Sequence, residues 1–155
     1  MSFKTNNELS TFDFSQSSVE KITINNDHIV LQLMDVIISE NNSCNEAFRK
    51  MATNDLTVEF IGVEEIVFIK DGYIIRDMDN KIREDVKDQV LEEPEWREVI
   101  NSINQNPIEG IECKDGYYLV YLDTEESLIS YTIKVKSKSD IEEWEKFRNL
   151  PDTYK

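Results

Sequence analysis

The sequence predicts an α+β fold: a mainly antiparallel sheet built from hairpins, two helices inserted in its middle and one C-terminal helix packed on it. Three observations predict it. Apolar residues alternate with period two in both halves of the chain. Asp-Gly and Asn-rich turn chemistry separates those runs. Helical spacing appears between the halves and again near the C-terminus. At 155 residues and 39% hydrophobic content, residues 1–155 read as a single domain whose core needs no disulfide or metal. With 4 Gly and 3 Pro, no long flexible linker is visible.

Residues 1–17 are polar and rich in Asn and Ser, and read as a loosely ordered N-terminal arm that Phe3, Phe12 and Phe14 tack onto the body. Val19, Ile22 and Ile24 then open a strand. Asn25-Asn26-Asp27 makes a turn, because Asn and Asp tolerate positive φ. "HIVLQLMDVII" returns as a long central strand with Ile29, Leu31 and Leu33 on one face. "SENNSCNEAFRKMATND" interrupts the sheet. Ser43 and Glu46 have capping-box spacing, so a short helix or an irregular excursion is expected. "LTVEFIGV" alternates again, with Leu56, Val58 and Phe60 inward.

"KDGY" occurs twice, at Lys70–Tyr73 and Lys114–Tyr117. The flanking residues do not align, so both copies read as independent Asp-Gly hairpin turns rather than a duplication. Between them, residues 79–93 carry Ile82, Val86 and Val90 four apart, which predicts a first helix with a narrow apolar stripe. A second helix follows, with Pro94 in its first turn and Trp96, Val99, Ile100 and Ile103 on one face. After the second KDGY, Ile129, Tyr131, Ile133 and Val135 alternate with polar residues as a half-buried strand. Ser139 and Glu142 have capping-box spacing, predicting a closing helix with Ile141, Trp144 and Phe147 against the sheet.

The net charge of −15 disfavours nucleic acid and anionic membranes as partners and favours a basic protein or divalent cations. No basic-then-apolar leader and no membrane-length apolar run is present, so a cytoplasmic protein is expected. Cys44 and Cys113 lack zinc spacing and read as two buried free thiols. His28 is the only histidine and reads as a solvated residue at a strand start beside a turn; any nucleophilic pair would have to use it, with Cys44 as the one candidate. Residues 77–88 imitate a calcium loop, but Lys81 and Ile82 occupy the places of an oxygen ligand and the turn glycine. Lys134, Lys136 and Lys138 read as protection of a sheet edge. No catalytic residue, cofactor or metal site is therefore expected.

What remains is acidic and aromatic. Glu84, Asp85, Asp88 and Glu92 cluster around the predicted middle helices, and Glu142, Glu143 and Glu145 add charge to the last. Alternation places Tyr117 and Tyr121 on the face opposite Tyr118, Val120 and Leu122. Together Glu84, Asp85, Asp88, Glu92, Tyr117 and Tyr121 form the candidate partner-binding set: carboxylates steer association and tyrosines anchor it. In general character the chain resembles small acidic proteins that neutralise basic bacterial toxins, a resemblance of type that no motif carries. The leading expectation is a non-catalytic module that binds a basic protein, in the manner of an immunity or inhibitor protein. The alternatives are an enzyme or divalent-metal protein using surface carboxylates, and a structural or oligomeric scaffold.

Overall fold

Strand pairing claims almost every apolar run in this chain, including two that carry helical spacing. The computed structural model describes residues 2–25, 27–126 and 128–150. β1 (Phe3–Asn6), a 3-10 turn (Leu9–Thr11) and β2 (Phe12–Asp13) come first, then β3 (Ser18–Asn25), β4 (His28–Ile38) and β5 (Met51–Ile61). β6 (Glu65–Lys70), β7 (Tyr73–Arg76), β8 (Ile82–Val86) and β9 (Gln89–Leu91) lead into α1 (Glu93–Ile103). β10 (Ile108–Lys114), β11 (Tyr117–Asp123), β12 (Ser130–Lys136) and β13 (Ser139–Trp144) follow. The expected α+β class with three helices is thus corrected. The fold is mostly β, built of curled antiparallel sheets, and α1 is the only α-helix among the described residues.

The first sheet runs β1-β13-β5-β4, with β2 and β3 sharing the far edge of β4. The second runs β10-β11-β12-β6-β9. The two are joined by one long bent ribbon. β5 continues into β6 while β12 continues into β13, and the two lengths pair antiparallel on both sides of the bend. Gly62 sits at the bend with φ +66°, and a Cβ there would meet the Lys138 side chain at 2.9 Å. The Ser137 hydroxyl and the Lys138 amide both donate to the Ile61 carbonyl, at 2.7 and 3.0 Å. A strand that switches sheets at a bend forms a corner. Across the molecule the free edges are stitched: Val19 N–H donates to Asn106 O at 2.9 Å and Gln105 N–H to Val19 O at 2.7 Å.

One core cluster lies between the sheets, with Ile29, Leu31, Leu33, Val58 and Phe60 from the first, and Phe68, Val120, Leu122 and Ile133 from the second. Trp96, Ile100 and Ile103 of α1 are buried too. The α1 helix fulfils its sequence signals, with Pro94 in the first turn and the Glu92 amide donating to the Glu95 carboxylate at 2.8 Å.

Two predicted helices are strands instead. Within residues 79–93 the chain forms β8 and β9, which pair with β7 and β6. Their apolar residues sit four apart, yet Ile82 and Val90 are exposed, so no core-facing stripe exists to hold a helix. Residues 139–144 form β13, gripped between β1 and β5. There the ladders give residues 141–143 partners on both sides, which outweighs a capping box worth about 1 kcal/mol. The excursion after β4 carries no helix either. Asn42 and Asn45 brace it, accepting from the Cys44 and Ala47 amides at 2.9 and 3.0 Å. Local Asx bonds of this kind compete with a helix. The segment expected as an N-terminal arm supplies β1 and β2. Phe12 and Phe14 are buried, and the Phe3 ring stacks on Trp144 with centroids 5.7 Å apart.

The two KDGY copies do different work. Asp115 and Gly116 both have positive φ, 52° and 81°, between paired Lys114 and Tyr117: a two-residue hairpin turn. Asp71-Gly72 is no turn at all. The β6–β9 pairing and the β7–β8 pairing share one register, so the strands run on through Gly72 as a single long hairpin. Its tip lies at 77–81, where the Asp77 carboxylate accepts the Asp79 and Lys81 amides at 2.9 Å each.

Candidate docking surface

The distal half of that long hairpin, β7 and β8, pairs only with itself. Every residue of β8 is exposed. Ile74 and Ile82 are 52% exposed, Val90 is 65% exposed, and Met78 at the tip is fully exposed. An isolated two-stranded ribbon is marginally stable in water. Here the joint to the body is held by Gly72, whose amide donates to Asp88 Oδ1 at 2.6 Å. A Cβ at Gly72 would collide with the Val86 carbonyl and the Lys87 and Asp88 backbone, so only glycine lets the strands approach this closely.

The structure distributes the candidate set over three places. Glu84, Asp85 and Asp88 lie on the ribbon. Glu84 accepts from the Tyr73 hydroxyl at 3.2 Å, and Asp85 pairs with Lys87 at 3.0 Å. Glu92 lies apart, as the N-cap of α1. Tyr117 and Tyr121 are half-buried on the outer face of the second sheet, while Tyr118, Val120 and Leu122 face the core as alternation requires.

That outer face mixes lysines with Glu64 and Glu65 at one end and is acidic at the other. At one end Tyr117 pairs with Lys114 and Lys136, and Lys134 Nζ lies 4.2 Å above its ring. Lys134 and Lys136 sit on a central strand, β12 between β11 and β6, so their edge-protection reading is corrected. At the other end, four residues and about 13 Å along β11, Tyr121 donates to Glu112 Oε2 at 2.9 Å. Asp71 adjoins it, accepting from Ser130 and Thr132 at 2.9 and 2.8 Å. The β10 ladder shifts register between Ile108 and Gly110, and Glu109 there hydrogen-bonds the Asp123 carboxyl. That bond, then the charges of Asp123 and Asp71 together with burial, raises the Glu109 pKa. Two carboxyls in hydrogen-bond contact compete for one proton.

The acidic end adjoins the base of the ribbon. Cross-strand pairing runs Tyr121–Thr132–Ile69–Val90, about 14 Å over three strand spacings. So the fold sets Tyr121 with Glu112 on the side of the sheet that leads to the base of the ribbon, while Tyr117 sits among lysines and donates to Glu65 Oε2 at 3.3 Å. Sequence reasoning missed Asp71, Glu109, Asp123 and Val90. Asp71 was assigned to a turn, and Val90 to a helix stripe. Only the register shift brings Glu109 onto Asp123.

Among the described residues, no cluster of three or more His, Cys, Asp or Glu side chains is placed to hold a metal ion. Cys44 is partly buried and Cys113 is exposed, so the expectation of two buried thiols holds for neither; both are free. No helix among the described residues is long and apolar enough to cross a membrane. A hollow of about 500 Å³ beside the C-terminus of α1 and another of about 400 Å³ between α1 and β3 lie apart from Tyr121. No protein-family model, curated protein or solved structure matches this chain.

Proposed function

We propose that this protein is a non-catalytic binding module that docks a basic protein on its ribbon and on the acidic end of its second sheet. The observation that carries this reading is the ribbon itself. It leaves Ile74 exposed beside Asp85 on one face and Glu84 beside Tyr73 on the other, with Ile82 and Met78 also in water and Val90 exposed at its base on β9, outside any core of its own. Exposed apolar groups rimmed by charge mark protein interaction sites. The carboxylates steer a cationic partner, and Tyr121 with the aliphatic residues excludes water on contact. Occlusion is the mechanism: the protein covers its partner's anion-binding surface, as an immunity or inhibitor protein does. Two free thiols fit action in the reducing cytoplasm.

The test begins with capture of a partner from the native cells at low and high salt, followed by its identification and purification. Kinetics with the two purified proteins then decide. Reversal of Glu84, Asp85 and Asp88 to Lys should slow association and flatten its salt dependence. Ile74→Ser with Val90→Ser should weaken binding by about 2 kcal/mol, mainly through faster dissociation. A non-basic partner, or unchanged kinetics in both variants, overturns the reading.

A further inference from the structure

The second ionic feature of the molecule lies in its interior and is independent of the docking surface. On β13, Asp140, Glu142 and Trp144 alternate inward. Asp140 is 3% exposed and Glu142 is fully buried, and among the described residues neither is in an ion pair. The Tyr118 hydroxyl donates to Asp140 Oδ2 at 2.6 Å. Glu142 Oε1 accepts from the Thr5 hydroxyl at 2.9 Å and from the Glu8 amide at 3.2 Å. The two remaining oxygens, Asp140 Oδ1 and Glu142 Oε2, are buried and have no other donor. Two adjacent oxygens of this kind are satisfied together by one proton between them.

We propose that the Asp140–Glu142 pair is a proton-binding site, and that its proton latches the N-terminal strand β1 onto the sheet. Apart from Tyr118 on β11, the hydrogen-bond partners that close over the pair come from the N-terminal segment. Thr5 and Glu8 bind Glu142, and the Asn7 side chain accepts the Asp140 amide at 3.0 Å. Asn7 N–H in turn donates to Asp140 O at 2.9 Å. The opposite neighbour, β5, is a central strand and offers only Val58 and Phe60. Loss of the proton sets two negative charges side by side in a dry interior, and the four-residue edge strand is the cover that yields most easily to water.

The other titratable groups do not offset that charge. Tyr118 from β11 already donates to the pair, and burial raises its pKa further. Cys113 on β10 adds to that rise and brings no cation. The Glu8 carboxylate turns away to Ser43. Lys4 pairs with Glu143 across the β1–β13 ladder, and both are exposed. Burial, then the hydrogen bond and charge of Asp140, push Glu142 up to about 9, against the smaller lowering by Thr5 and Glu8.

The test uses the intact protein. Side-chain carboxyl carbon NMR follows Glu142 from pH 5 to 10, with the Glu8 amide as a reporter on the same bond. Trypsin cleavage after Lys4, normalised to a peptide of the same sequence at each pH, reads the opening of β1. Glu142 should remain protonated at pH 7 and titrate in one alkaline step together with the Glu8 amide. Cleavage after Lys4 should rise over the same step by about tenfold, the ratio that one pKa unit represents. Glu142→Gln, whose amide donates to Asp140 without titrating, should keep cleavage flat. Glu142 ionised at pH 7, or cleavage that ignores its titration, overturns the latch. If the Gln variant fails to fold, the wild-type titration and cleavage decide alone.

Discussion

At the joint between β6 and β7, Gly72 allows an approach that any Cβ would block. Gly72→Ala should therefore lower unfolding free energy by about 1–3 kcal/mol, the range for overpacking. Gly110→Ala, with open space at its Cβ position, should stay within about 0.5 kcal/mol. Urea titrations of the two variants make the comparison. Glu142 gives a pH prediction at the same scale. Its folded pKa is raised above the unfolded value, so its contribution is fully present below about pH 4.5 and is lost as pH rises toward about 9. Its part of the slope is at most about 1.4 kcal/mol per pH unit. Glu142→Gln should flatten the urea stability profile across that window. Little of this was legible in the sequence. A Glu in "DIEEWEKF" reads as solvated charge, and only pairing on both sides of β13 turns it inward.

Among the elements, the ribbon and the sheets answer to different forces. Phe68 is fully buried on β6 between the Trp96 and Tyr131 rings, at 6.1 and 5.8 Å. Phe68→Ala should cost about 3–5 kcal/mol. Ile82→Ser on β8, half exposed and touching no core, should change stability by no more than about 0.5 kcal/mol. Thermal unfolding of the pair checks this, and near-equal losses would mean that the ribbon is packed. The elements legible from sequence are those that carry their own instructions: the β4 and β12 alternation, the Asp115-Gly116 turn, and the caps of α1. The ribbon carries none. Its residues 82–86 lack alternation because neither face is buried, so helical spacing was the only pattern left to see.

For the whole molecule, topology joins sequence ends: β1 pairs with β13, and β5 pairs with both β4 and β13. Such distant pairings pay loop-closure entropy before they gain contacts, so folding should occupy the millisecond-to-second range. Stopped-flow refolding followed by tryptophan fluorescence measures it, and microsecond folding would contradict the closed topology. By itself, the sequence determined the turn at Asp115, helix α1, the inward faces of β4, β5, β11 and β12, and the strong negative charge. These follow from local chemistry and from one-sided burial. Only the tertiary structure decided that residues 82–86, 89–91 and 139–144 are strands, that Asp71-Gly72 is a crossing rather than a turn, and that Tyr121 meets Glu112. Each depends on a partner strand distant in sequence or on a register shift, and neither leaves a periodic trace in the residues that obey it.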